Sequence, residues 1–231
     1  MKSMNDKKPK IIGIHQPMFL PYVGTIKKII DSDIFIFLDD VQFADSGFQN
    51  RNKIYTSDGI KWITVPLGKP RYKVSINEIK INYNTNWIDT MLGQLKHNYG
   101  KTPYYLEVCS MIENVLRRKY ELLSDLCVDM TKEIIAYLNV EKEYRLSSDI
   151  KDKSDDRIDR IIDLVHSENG DIFLSGDGAK CYMELERFTD IEVQFQNYTC
   201  KEYPQMNCDK FVPYLSIVDY LCNVGSDISY L

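Results

Sequence analysis

The chain offers no long apolar run: Ile11–Ile14, the first apolar segment, is far too short for a signal h-region or a membrane span. No CxxC or CxxH spacing joins any of its six cysteines, Cys109, Cys127, Cys181, Cys200, Cys208 and Cys222. That removes the usual pattern of a zinc site, so no metal is expected, and in a chain without a secretory leader the thiols read as reduced and cytoplasmic. Histidine is scarce, at 3 residues, and no GxSxG elbow, Walker loop or dinucleotide fingerprint occurs. Neither charge dominates: 29 Lys and Arg face 34 Asp and Glu, a net charge of -5. Such a balance gives no general attraction to nucleic acid or anionic lipid, so neither nucleic acid binding nor membrane insertion is expected. What is present is ample apolar material, 44% of 231 residues, enough for a sizeable core.

The order of patterns predicts an α/β fold with a Rossmann-like, mainly parallel sheet and a helical insertion around 87–139. Residues 1–10 read as a frayed polar tail and 11–231 as one domain. Lys10–Ile14 and Asp33–Leu38 are short buried-strand runs flanking a helical stretch, Tyr22–Ile30, which is the arrangement of a βαβ unit. Asn52–Tyr55, Ile60–Pro66 and Val74–Ile81 look strand-like, separated by glycine and proline turns. Helices are expected at Trp87–Tyr99, Pro103–Lys119 and Leu122–Leu138. Alternation then returns: a helix capped by Ser154, a strand at Asp171–Leu174, a helix at Ala179–Arg187, a strand at Ile191–Phe195 and a last helix at Ser216–Asn223.

Several clusters can carry chemistry. His15 and Gln16 emerge at the carboxyl end of the first strand, where open α/β sheets bind ligands, and an imidazole there can exchange protons near neutrality. The same histidine also suits a purely local role, fastening its own loop. Asp39 and Asp40 end the second strand-like run, and one carboxylate can orient His15 or hold a sugar hydroxyl or metal. Adjacent residues point to opposite faces, so the two acids do not share one role; a solvated turn is the alternative. Gln42 follows closely. Asn50, Arg51, Asn52 and Lys53 combine amides with two cations, a set suited to a sugar diphosphate, although a polar turn entering Ile54–Tyr55 is the commoner explanation of such a run. Ser175 and Gly176 open a glycine-bearing turn before an expected helix, which suits an anion or simply a tight turn. His97 and His166 fall near helix ends, where stabilising the helix terminus suffices as a role.

The strings HQPMFLPYVG, SDIFIFLDDVQF, NRNKI, LSGDGAKCY, FQNYTCKEYPQ and PYLSIVDYLCNVG follow in order from His15 to Gly225. Together they resemble the WbqC-like family. The resemblance implies a place beside bacterial O-antigen or surface-polysaccharide biosynthesis, with His15, Gln16, Pro17, Asp39, Gln42, Asn50, Arg51 and Asn52 as family-type positions. The expected activity is acyl or aminoacyl transfer to the amino group of a nucleotide-linked amino sugar, with His15 as base and Asp39 as its partner. Gln42 and Asn52 would supply hydrogen bonds and Arg51 would hold the diphosphate, with Gln16, Asn50, Ser175 and Gly176 as further binding residues. No resident cofactor is expected; the donor, with an acyl carrier as one form, is a co-substrate. The strand, histidine-bearing loop and helix also resemble the opening of HIGH-motif nucleotidylyltransferases, from which Thr25 departs where a second histidine belongs. A non-catalytic sugar-nucleotide-binding or scaffold protein is the third reading.

Overall fold

The computed structural model describes residues 8–206 and 208–231. In chain order the elements are β1 (Ile11–His15), α1 (Val23–Asp31), β2 (Ile34–Phe37), β3 (Arg51–Thr56), β4 (Gly59–Thr64), α2 (Trp87–Tyr99), α3 (Tyr105–Leu116), α4 (Leu123–Tyr137), β5 (Glu143–Leu146), α5 (Arg157–Ser167), β6 (Ile172–Ser175), β7 (Glu192–Phe195) and α6 (Ile217–Val224). The chain divides into two compact units. The sheet unit holds the stretch up to His15, Lys28–Phe37 and Lys142–Tyr198; the helical unit holds Gln16–Lys27, Leu38–Glu141 and Thr199–Leu231. The expected tail falls outside the described residues for 1–7, while Lys10 is anchored, its N–H donating to Asp171 Oδ2 at 2.7 Å.

In the sheet unit five strands lie in the order β5-β2-β1-β6-β7, every neighbouring pair parallel. This is the Rossmann-like α/β sheet predicted from the apolar runs. The central strands are buried because their sequences are apolar on both faces: Ile34–Phe37 is buried at every residue, as is Ile172–Ser175. The edge strands β5 and β7 mix charged and apolar residues and are buried on one side at most. Gly13 in β1 allows close approach of the α1–β2 connection, since a Cβ there would sit 2.1 Å from Ser32 Oγ. Asp156, not Ser154, caps α5, accepting the N–H groups of Ile158 and Asp159.

Two expected elements do not form. Ala179–Arg187 forms no α-helix, only short 3-10 turns at Asp177–Ala179 and Leu185–Arg187. The stretch is mostly exposed and has no apolar stripe to bury, and tertiary burial is what sustains a helix this short. In the helical unit, Val74–Ile81 is no strand but a 3-10 turn at Ile76–Glu78. Its backbone N–H groups are shared among several acceptors, Ile76 to Val41, Asn77 to Asp39 and Ile81 to Glu121, and so never form one ladder.

The helical unit is built from the antiparallel hairpin β3–β4 and helices α2, α3, α4 and α6. Along α4 the residues Leu123, Leu126, Cys127, Met130 and Ile134 bury one face at helical spacing. Helix α6 is buried at every position, including its single acid, Asp219. Asp219 accepts hydrogen bonds from Tyr99 Oη at 3.0 Å, Tyr203 Oη at 2.8 Å and Gln205 Nε2 at 2.8 Å. Ser216 caps this helix and also donates to the Leu20 carbonyl at 2.8 Å.

Candidate functional site

The order of strands in the sheet unit reverses between β1 and β6, the position at which open α/β sheets hold ligands beyond their carboxyl ends. His15 is the last residue of β1 and is half-buried. The β1–β6 register pairs Gly13 with Leu174, so continuing it by two residues brings His15 level with Gly176. Ser175 beside it is buried. Three of the expected site residues, His15, Ser175 and Gly176, therefore converge on this reversal.

Beneath them lies a residue that the sequence reading passed over. Lys28 is on α1 and only 2% exposed, its Nζ donating to the Ile14 carbonyl at 2.9 Å. A Cβ added at Gly176 would lie 3.8 Å from that Nζ, so the glycine backbone lies alongside the ammonium. Burial lowers the Lys28 pKa to about 7, and among the described residues no carboxylate offsets the effect. A lysine offers three donors, and here one is spent on a carbonyl. The arrangement suits an anionic group entering above β1 and β6.

The turn after β6 is fixed by Asp177, whose two carboxylate oxygens accept the N–H groups of Asn197 and Tyr198, both at 3.0 Å. Lys180 pairs with the same carboxylate at 2.7 Å, and these contacts hold Asp177 below the ordinary carboxylate range, the lysine contributing most. No helix N-terminus stands behind this loop, so the anion-favouring feature there is Lys28 and not a helix dipole.

The remaining expected residues lie in the helical unit. Asn52 is buried, with Nδ2 donating to Leu20 O at 2.8 Å and Oδ1 accepting the Lys53 N–H at 2.9 Å. It clasps the loop in which Leu20 adopts a φ of 43°. Asn50 donates to Val65 O at 2.9 Å. Arg51 donates to the carbonyls of Gly47 and Ser46, and its guanidinium stacks over Trp62 at 4.5 Å. Gln16 Oε1 accepts from Gln49 Nε2 at 2.7 Å. Asp39 is buried, its carbonyl accepting the Asn77 N–H at 2.9 Å, and Gln42 is exposed and forms a single bridge to Ser75. His97 is exposed on α2, and His166 ends α5 with Nε2 3.1 Å from Asp190 Oδ2.

The WbqC-like protein family model matches residues 16–230. The chain belongs to that family. An uncharacterized protein of Mycobacterium tuberculosis, Rv1507c, is 29% identical over 223 residues, covering 94% of this chain and 95% of the relative. No solved structure matches the chain. Among the described residues of this WbqC-like protein, no group of three or more His, Cys, Asp or Glu side chains is placed to hold a metal ion. Nor is any described helix long and apolar enough to cross a membrane.

Proposed function

We propose that this WbqC-like protein is a transferase of bacterial surface-polysaccharide assembly that moves an acyl or aminoacyl group onto the amine of a nucleotide-linked amino sugar. The observation that carries the reading is the buried Lys28 ammonium at the strand-order reversal, with a carbonyl and a glycine backbone as its neighbours. A sugar diphosphate supplies the anionic partner that such a cation lacks, and its binding would return the lysine to the charged form. His15, at the end of the adjoining strand, is assigned the proton of the acceptor ammonium. The free amine then attacks the donor carbonyl carbon; the C–N bond forms, the bond to the donor's thiol or alcohol breaks, and the leaving group takes up a proton. No covalent enzyme intermediate is needed, in keeping with a chain that has no nucleophile motif. Orientation and proton transfer are the protein's contributions.

The test is calorimetry and turnover with uridine- and thymidine-linked amino sugars, using acyl or aminoacyl thioesters as donors. Wild type is expected to bind the nucleotide sugar, Lys28→Met to bind it at least tenfold more weakly, and His15→Ala to bind it normally while losing transfer. Unchanged affinity in Lys28→Met removes the site, and full turnover in His15→Ala removes the base. Binding in wild type with no transfer to any donor favours the sugar-nucleotide-binding reading instead.

A further inference from the structure

The hairpin of the helical unit has two edges, and they differ. Antiparallel pairing alternates: in every second residue pair the backbone groups point at the partner strand, and in the others they point away. The Val65 N–H donates to Asn50 O, which sets the phase, so Asn52–Ile63 and Ile54–Lys61 are the inward-bonded pairs. The outward groups of β3 then belong to Arg51, Lys53 and Tyr55, and part of this edge is covered: Lys53 O accepts the Ser216 N–H at 2.8 Å, and the Tyr55 N–H donates to Tyr99 Oη at 3.1 Å. The outward groups of β4 belong to Ile60, Trp62 and Thr64. All three residues are exposed, and no described residue bonds to their outward backbone groups.

A bare strand edge is a template for another strand unless it is blocked. Here it is bordered by a cleft of about 470 Å³ that runs between Lys61 and Trp62 on one side and Thr90, Gly93, Gln94 and His97 on the other. A second hollow of about 290 Å³ continues it past Thr64, sharing Trp62, Thr90 and Gln94. The helical residues are spaced by three and four and form one exposed stripe of α2. A Cβ on Gly93 would meet nothing within 4 Å, so the stripe leaves open space beside the strand. The charges around the strip are mostly positive. Arg51 and Lys53 stack on Trp62, and neither they nor Lys101 at the far end pairs with a described carboxylate. The acid at the rim, Asp58, is already held by Lys61.

We propose that the β4 edge is a docking strip for an extended acidic polypeptide segment, which adds as a third strand along α2. Main-chain bonds to Ile60, Trp62 and Thr64 give affinity, alternate side chains enter the cleft, and acidic residues meet Arg51, Lys53 and Lys101. The test uses a blocked octapeptide alternating valine with aspartate, a matching valine–lysine peptide, and amide hydrogen exchange read by NMR on the full chain. The valine–aspartate peptide is expected to slow exchange at Ile60, Trp62 and Thr64 at least tenfold at saturation, with the lysine peptide inert. Gly93→Glu adds bulk and like charge in open space while favouring the helix, and is expected to weaken peptide binding at least tenfold with the fold intact. Exchange unchanged by the acidic peptide up to about 1 mM overturns the proposal, as does equal protection by both peptides. Protection that grows with protein concentration alone, with a dimer in light scattering, assigns the edge to a second copy and overturns it as well.

Discussion

In the helical unit the carboxylate of Asp219 is withdrawn from water and accepts three donors, from Tyr99, Tyr203 and Gln205. In the sheet unit the ammonium of Lys28 is equally withdrawn and donates to one carbonyl. Burial displaces both from their ordinary titration, Asp219 upward and Lys28 downward, but hydrogen bonds pull Asp219 back while nothing does so for Lys28. A buried charge that is fully bonded ties elements together: Asp219 joins α6 to α2 and to the segment after 199. A buried charge left short of partners costs stability, and under the proposed function its partner arrives from solution.

The sharpest way to break this contrast is Lys28→Met. Between the folded pKa near 7 and the ordinary lysine value of 10.5, the unfolded chain binds more protons than the folded one, so stability rises with pH across that window. The full rise is worth roughly 5 kcal/mol. Lys28→Met should flatten this limb and be more stable than wild type at pH 6, read from urea midpoints between pH 6 and 10. A variant less stable than wild type at pH 6 would mean that the ammonium is already compensated, and the contrast would collapse.

Asp219→Ala should err in the opposite direction, costing about 3–5 kcal/mol because two phenol hydroxyls and an amide lose their acceptor inside the core. Asp219→Asn keeps the volume but presents an amide N–H₂ to a donor, and should cost less. Since burial raises the acid's pKa, its stabilising contribution is largest at low pH and fades as pH rises through the folded value. The stability gap between wild type and Asp219→Asn should therefore widen on acidification. A gap that narrows instead would show that the donors outweigh the burial.

Asn52 tests whether a residue expected at a ligand is in fact a clasp. Together with Ser216 it donates to the carbonyl of Leu20, a residue held at φ 43° in the Pro17–Pro21 loop. Asn52→Ala should cost about 1–3 kcal/mol in denaturant unfolding. A double cycle with Ser216→Ala should show coupling, since both serve one acceptor. Loss of ligand binding without loss of stability would return Asn52 to the binding role.

Much of this was legible in the residues. The apolar runs of β1 and β2 and the 3.6-residue rhythm of α2 and α4 gave their elements to within a residue or two, because one face or both had to be buried. β5 was not legible: Glu143-Tyr144-Arg145-Leu146 is an edge strand without an apolar run, specified by its pairing with β2. Lys28 was hidden because a lysine in an amphipathic helix reads as solvent-facing. Asp219 was readable in hindsight as an acid in the otherwise apolar SIVDYLCNV. So was Asn52, whose alternation with Ile54 and Thr56 along β3 turns it inward. His15, Ser175 and Gly176 were placed correctly at strand ends because short buried strands end where polar residues and glycine begin.

The smallest expected effect belongs to Asp177, and it separates the loop's rigidity from the charge of the site. The carboxylate is partly exposed, so its depressed pKa translates, after solvent screening, into less than about 1 kcal/mol of stability. That contribution is present above the ordinary carboxylate range and is lost as pH falls through the lowered folded value. Asp177→Asn keeps one acceptor oxygen and places an amide against the second N–H, so one of the Asn197 and Tyr198 bonds must open. Amide exchange at those two residues should quicken several-fold while the urea midpoint barely moves. If Lys28 supplies the anion's partner and Asp177 only positions the Ser175-Gly176 turn beside it, nucleotide-sugar affinity should fall in Asp177→Asn by less than in Lys28→Met, with the salt dependence of binding unchanged. A salt dependence that shifts as much in Asp177→Asn as in Lys28→Met would make the acid part of the charge balance, and the buried lysine would no longer stand uncompensated.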